Sequence, residues 1–184
     1  YDRLLPNVGL TYNFPPSASI FASYAKNLSV PGTDAMYGSL YVGVAPTPET
    51  SDSFDLGVRY QSRTVQAQLS GWYNRYYNRL ASAYDAELDR TITRNLGTVD
   101  KYGFDGSVAW QPVRNFSLYV FGSYLKSDIK EDVLAGKTCR SSDSAFCYTD
   151  GGFAYYETSG RREAGAPKFT VGTRAQGALG PVDL

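Results

Sequence analysis

The 184-residue chain contains no histidine, one methionine and two cysteines. Without histidine there is no histidine-based triad or acid–base pair, so the residues point away from an enzyme. Two thiols cannot by themselves complete a four-ligand zinc site, and no metal site is expected. The glycines at 38, 43, 151, 152 and 160 do not follow a strand and open a helix, so they form no phosphate cradle, and no cofactor is expected. Eighteen Lys and Arg balance eighteen Asp and Glu. With no net charge, no global field draws nucleic acid or an anionic surface. No run of about 18 apolar residues exists, which excludes a transmembrane helix.

Aromatic residues and glycine are abundant: 16 Tyr, 9 Phe, 2 Trp and 18 Gly. Such a composition favours strands and tight turns over helices. The mean hydropathy of −0.34 is mildly polar. It does not exclude a membrane, because a transmembrane strand needs apolar residues only at alternate positions.

A period of two recurs along the chain. From Leu4 to Phe14 the even positions Leu4, Pro6, Val8, Leu10, Tyr12 and Phe14 are apolar, and Asn7, Gly9, Thr11 and Asn13 oppose them. After Pro15-Pro16-Ser17 the chain returns through Ala18, Ile20, Ala22 and Tyr24. Further runs cover Ser53 to Gln61, Val65 to Asn74, Lys101 to Gln111, Phe116 to Tyr124 and Pro167 to Gln176. Each reads as a half-buried strand of roughly nine to eleven residues, the length a tilted strand needs to cross a bilayer. Short connections at Pro15–Ser17, Gln61–Thr64, Pro112–Asn115 and Gly177–Pro181 alternate with long ones at about Lys26–Thr50, Tyr76–Asp100 and Ser127–Ala166. That alternation predicts an all-β, antiparallel, up-and-down transmembrane β-barrel section of about seven or eight strands, with short turns on the periplasmic side.

Aromatics sort to both ends of the apolar face. Tyr12, Phe14, Tyr60, Trp110 and Phe116 adjoin short turns; Tyr24, Phe54, Tyr73, Tyr102, Phe104, Tyr124 and Phe169 adjoin long connections. Val, Leu, Ala and Gly lie between them, as expected of a lipid-facing band with interfacial girdles. The opposite face carries Asp55, Arg59, Gln66, Gln68, Lys101, Asp105, Gln111, Lys168, Arg174 and Gln176, which suits a wet lumen. The competing reading is a secreted β-sheet adhesin or carbohydrate-binding module. Such a protein would stay soluble without detergent and would bury its aromatic rows or turn them to a ligand.

Several segments resemble TonB-dependent outer-membrane receptors. They are Pro6-Asn7-Val8-Gly9-Leu10-Thr11-Tyr12, Ile20-Phe21-Ala22-Ser23-Tyr24-Ala25-Lys26 and Pro48-Glu49-Thr50-Ser51-Asp52-Ser53-Phe54-Asp55-Leu56-Gly57-Val58-Arg59. Asn95-Leu96-Gly97 with Tyr102-Gly103-Phe104-Asp105, and Gly165-Ala166-Pro167-Lys168, are similar to two further strand patterns of the family. The resemblance implies a barrel of about 22 strands around a plug domain. It also implies energy from an inner-membrane TonB complex and a place in the Gram-negative outer membrane, among lipid and lipopolysaccharide. Residues 1–184 are then a late internal section of the barrel domain, without the plug or the final strands. The implied activity is uptake of a bulky scarce nutrient, with a ferric siderophore or related chelate first and vitamin B12, sugars or plant-derived aromatics open. A passive porin is the alternative within transport.

Cys139 and Cys147 bracket a polar stretch and suggest a local disulfide in an oxidising compartment, against a redox or metal role. Candidate ligand contacts are Trp72, Asn74 and Tyr76, which follow the inward parity at the outer end of a strand. Loop residues Tyr37, Tyr41, Arg79, Tyr84, Arg161 and Arg162 are further candidates, since Tyr and Arg are common recognition residues and Arg suits an anionic chelate. The run Trp72 to Arg79 could stack on single-stranded nucleic acid, but zero net charge favours a strand end entering a loop. Asp85, Glu87 and Asp89 lack the spacing and glycine of an EF-hand and are expected to form a solvated acidic loop. Asn27-Leu28-Ser29 and Asn115-Phe116-Ser117 match a glycosylation pattern that a bacterial protein makes incidental.

Overall fold

The computed structural model describes residues 3–33, 46–85, 89–139, 145–163, 165, 167–179 and 182–183. Its main element is one eight-stranded antiparallel sheet. In chain order the strands are β1 (Asn7–Phe14), β2 (Ala18–Ser29), β3 (Glu49–Gln61), β4 (Val65–Tyr77), β5 (Leu80–Asp85), β6 (Arg90–Asn95), β7 (Val99–Val113), β8 (Phe116–Ile129), β9 (Val133–Gly136), β10 (Cys147–Asp150), β11 (Phe153–Tyr156), β12 (Phe169–Leu179) and β13 (Val182–Asp183). The large sheet runs β1-β2-β3-β4-β7-β8-β12-β13 as an open meander. The other strands build the long connections: β5 pairs with β6, and β11 lies between β10 and β9.

Register fixes sidedness. Val8 pairs with Tyr24, Tyr24 with Phe54, Phe54 with Tyr73 and Tyr73 with Tyr102. The apolar positions of neighbouring strands therefore share one face, as a period of two requires. That face lies open: Val8 is 65% exposed, Leu56 60%, Leu69 56%, Val108 46% and Val120 40%. A soluble sandwich would bury these side chains between layers. Among the described residues the buried apolar side chains are Val99, Ile129, Val133 and Ala154. All four belong to the long-loop end, at the tips of β7 and β8 or in the small three-stranded sheet.

The polar face carries aromatics that the alternation alone does not explain. Phe21, Trp72 and Phe121 are paired directly with Gly57, Gly103 and Gly172 on the next strand. A Cβ added at any of the three glycines would fall within 3 Å of the facing ring. Each glycine thus admits a ring laid across the sheet, which is one reason for glycine inside a strand.

The strands outrun the sequence expectation. β3 and β4 have 13 residues each, β8 has 14 and β7 has 15, against the nine to eleven needed to cross. The added residues lie mainly at the long-loop end, where the hydrogen-bonded ladder continues past the apolar band. Two connections read as loops also hold sheet of their own: β5–β6 within Tyr76–Asp100, and β9–β11 within Ser127–Ala166. Also at the long-loop end, β1 starts at Asn7, paired with Ala25, instead of at Leu4.

Candidate functional site

The polar face meets the long connections in a cluster of ionised side chains. Glu49 opens β3, Tyr76 ends the inward side of β4, and Arg79 follows β4 directly. Arg79 Nη1 donates to both Glu49 oxygens at 3.0 Å, and the Leu80 amide donates to Glu49 Oε2 at 2.7 Å. The same guanidinium donates to Glu163 Oε1 through Nη2 at 3.2 Å and Nε at 3.3 Å. Lys101 Nζ, on β7, lies 2.7 Å from Glu163 Oε2. The Glu163 amide donates to Ser127 Oγ of β8 at 3.0 Å. Arg79 lies 4.7 Å from the centroid of the Tyr76 ring and Lys101 5.4 Å, within cation–π range.

Burial works against the Arg79 charge, but Glu163 and then Glu49 outweigh it and raise its pKa above the ordinary guanidinium value. Two cations face two carboxylates, so the cluster is charge-balanced. Its geometry ties the start of β3, the end of β4, β7 and the segment before β12 into one rim. Asn95 adds a second tie: its side chain accepts from the Thr47 amide at 2.8 Å and donates to the carbonyls of Asn78 at 2.7 Å and Thr47 at 3.1 Å.

Deeper on the same face, Trp72 Nε1 donates to Asp105 Oδ2 at 2.7 Å, and Ser123 Oγ donates to Asp105 Oδ1 at 2.5 Å. Ser23 Oγ donates to Asp55 Oδ2 at 3.2 Å, and Arg59 Nε to Gln68 Oε1 at 3.0 Å. A polar lining with satisfied partners across strands suits a wet interior. In the Ser127–Ala166 connection, Asp132 accepts from the amides of Thr158 and Ser159 at 2.9 Å each and from Tyr148 Oη at 3.0 Å. A disulfide joins Cys139 to Cys147 across the β9–β10 connection, with Cα atoms 5.8 Å apart.

A family model described as "TonB dependent receptor-like, beta-barrel" matches residues 1–180. The chain belongs to the TonB-dependent receptor β-barrel family. Members of this family are outer-membrane transporters, not enzymes. Solved structures share the fold at low identity. The ferric yersiniabactin uptake receptor FyuA from Yersinia pestis is 15% identical with a TM-score of 0.63, over 95% of this chain and 23% of that one. The siderophore receptor PirA from Pseudomonas aeruginosa is 18% identical with a TM-score of 0.56, over 67% and 25%. The copper transporter OprC is 16% identical with a TM-score of 0.57, over 67% and 20%. The chain therefore spans 20–25% of the length of these receptors.

In this section of a TonB-dependent receptor, Trp72, Asn74 and Tyr76 lie on the polar face of β4, paired with Asp55, Ser53 and Ser51 of β3. Tyr76 and Arg79 come together in the charged rim; Trp72 is held lower down by Asp105. Arg161 stands apart, 5.2 Å from the Phe146 ring, and its carbonyl accepts from the Ile129 amide at 2.9 Å. Arg162 is half-buried, and its Nε has no hydrogen-bond partner among the described residues. Tyr84 lies in β5, paired with Thr91. Tyr37 and Tyr41 lie outside the described residues, as does Glu87 of the acidic run.

Sequence reasoning did not identify Glu49, Lys101 and Glu163 as partners of Tyr76 and Arg79. Glu163 and Arg79 are 84 positions apart, and no local spacing connects them.

Proposed function

We propose that the complete receptor takes up a bulky, scarce nutrient across the outer membrane, a ferric siderophore or related metal chelate, driven by the TonB complex. This chain is then a section of the barrel domain, with a plug and the remaining strands elsewhere in the protein, and lipid and lipopolysaccharide outside. The observation that carries the reading is the family match over residues 1–180, joined to a wall with one apolar and one polar face. The solved relatives whose names mention ferric yersiniabactin, a siderophore and copper favour a metal chelate over a sugar. Trp72, Asn74 and Tyr76 are the ligand contacts of choice, because they line the polar face of β4 from the rim, where Tyr76 sits, downward. The balanced rim at Arg79 favours a role in holding the mouth over pairing with an anionic ligand.

Deletion of the gene tests this directly. Under iron limitation the deletion strain should lose growth on particular ferric chelates, and dissipating the proton-motive force should stop uptake by the wild type. Uptake that persists without that force would replace the reading with a passive porin. Growth unchanged on every chelate would redirect the search to another nutrient.

A further inference from the structure

Charge on the large sheet is sorted by height. At the long-loop end cations meet carboxylates on both faces. Arg79 and Lys101 meet Glu49 and Glu163 on the polar face. On the apolar face an outward row of charges is joined by register, Lys26 to Asp52, Asp52 to Arg75 and Arg75 to Asp100. Asp55 and Asp105 are the last carboxylates on the way down β3 and β7. Beyond them, toward the short turns, stand Arg59, Arg63, Arg114 and Arg174. The one acid among the described residues at that end is Asp183, on β13 at the edge of the sheet opposite β1.

Two of these arginines share a hollow. Register joins Asn13 to Ser19, Ser19 to Arg59 and Arg59 to Gln68 in one row across the polar face. Beside this row and the two nearest short turns lies a cavity of about 630 Å³, whose lining includes Asn13, Ser17, Ser19, Arg59, Gln61 and Arg63. Its walls are fixed by backbone bonds. The Gln61 amide donates to the Ser17 carbonyl at 2.8 Å, and the Ser62 amide donates to the Val65 carbonyl at 2.7 Å.

The arginine ends are free. The Arg59 guanidinium lies 4.2 Å from the Phe21 ring centroid, and its Nε donates to Gln68 Oε1 at 3.0 Å. These contacts hold its plane and leave Nη1 and Nη2 uncommitted among the described residues. That edge grips a carboxylate through two parallel bonds. Arg63 makes no hydrogen bond or ion pair among the described residues.

We propose that this hollow is a second ligand site, at the periplasmic end of the wall, which takes the carboxylates of an anionic metal chelate leaving the barrel. The site rests on the reading that the receptor imports a metal chelate, with the short turns facing the periplasm. A hydroxycarboxylate chelate matches the lining: carboxylates suit Arg59 and Arg63, and hydroxyls suit Asn13, Ser17 and Ser19. A phosphate-sized anion would leave most of the volume empty, and a neutral chelate would leave both arginines unpaired. At the rim Arg79 and Lys101 already face carboxylates, whereas nothing in this section competes for the arginines below. Both arginines are exposed, so their hold is weak enough to release the ligand.

The test uses the complete receptor in mild detergent, with an environment-sensitive dye on Ser17→Cys. The native Cys139 and Cys147 are joined to each other and do not compete for the dye. Ferric citrate is the probe, and the neutral ferric complex of a trihydroxamate is the control. The dye should respond saturably to ferric citrate and not to the control. Arg59→Gln/Arg63→Gln should raise the midpoint about 10-fold. Arg114→Gln, which removes a cation outside the hollow, should leave it unchanged. An unchanged midpoint in the glutamine pair would overturn the site, as would an equal shift in Arg114→Gln. No response in wild type, the result if a segment of the receptor itself fills the hollow, would overturn it too. Transport separates the site from the import reading. In a host lacking its own ferric citrate receptor, expression should confer uptake, and the glutamine pair should lower the maximal rate about 3-fold at unchanged half-saturation. No uptake on expression sinks carboxylate import and the exit role with it. Uptake that the glutamine pair leaves at full rate sinks only the exit role.

Discussion

Phe21 lies across Gly57, its directly paired neighbour on β3, so closely that a Cβ at position 57 would sit 2.4 Å from the ring. Arg59 covers the same ring, with its guanidinium 4.2 Å from the centroid. The pairing recurs at Trp72 with Gly103 and at Phe121 with Gly172, but the room for relief differs. At Gly103 the added Cβ would meet the Tyr124 carbonyl oxygen at 2.0 Å; at Gly57 it would meet the Leu69 carbonyl oxygen at 2.8 Å; at Gly172 its nearest neighbours are atoms of the Phe121 side chain. Backbone cannot rotate away and a ring can. Alanine should therefore destabilise in the order 103, then 57, then 172, with about 1–3 kcal/mol at Gly57 and more at Gly103. Urea midpoints of the folded receptor in detergent measure this, and a Gly172→Ala variant as damaged as Gly103→Ala would contradict it.

The two tryptophans test sidedness, because they occupy opposite faces. Trp110 lies on the apolar face, paired with Val65 and Leu118, and is 45% exposed. Trp72 lies on the polar face, bonded to Asp105. In receptor variants that keep one of them as the sole tryptophan, brominated phospholipid should quench Trp110 strongly and Trp72 little. Comparable quenching of both would remove the assignment of the two faces.

The outward charge row shows where the alternation was readable and where it stopped being read. Lys26, Asp52, Arg75 and Asp100 continue the parity of Tyr24, Phe54, Tyr73 and Tyr102 by one step, so a longer reading of each strand would have placed them. The aromatic row hides them, because it marks the edge of lipid and invites ending the strand there. The seven main crossing segments were legible because lipid imposes a strict period of two on one face. The β5–β6 hairpin was not, because Ser82 and Thr93, paired across it, carry no apolar signal. The rim was illegible for another reason: its contacts join residues 30 and 84 positions apart, which only the folded sheet brings together.

That rim should behave as a unit. Arg79→Met leaves Glu49 and Glu163 facing one another with only Lys101 to offset them. A fully buried pair costs 3–5 kcal/mol to break and a surface pair about 0–1; this partly buried cluster should lose about 2 kcal/mol. Hydrogen exchange at Leu80 and Glu163, whose amides are held by Glu49 and Ser127, should accelerate roughly 30-fold. Adding Glu49→Gln to Arg79→Met should cost less than the sum of the single changes, since the two residues share one interaction. Strict additivity would show that the rim residues act independently.

Asp132 sets the acid limit of the connection between β8 and β12. The Ser159 amide, then the Tyr148 hydroxyl and the Thr158 amide, hold its carboxyl below the usual carboxylate range, with Arg161 assisting. A carboxyl whose folded value is depressed adds stability that is complete above its unfolded value, about 3.9, and is lost as pH falls through the lower folded one. The amides of Thr158 and Ser159 should therefore stay protected from pH 7 to about pH 5 and lose protection below about pH 4. In Asp132→Asn those amides should be less protected at pH 7, and the acid step should disappear. Tyr148→Phe removes one of the three donors and should move the step to higher pH without abolishing it. Exchange rates corrected for intrinsic pH dependence decide the matter: an acid step of the same size in Asp132→Asn would assign it to another carboxylate.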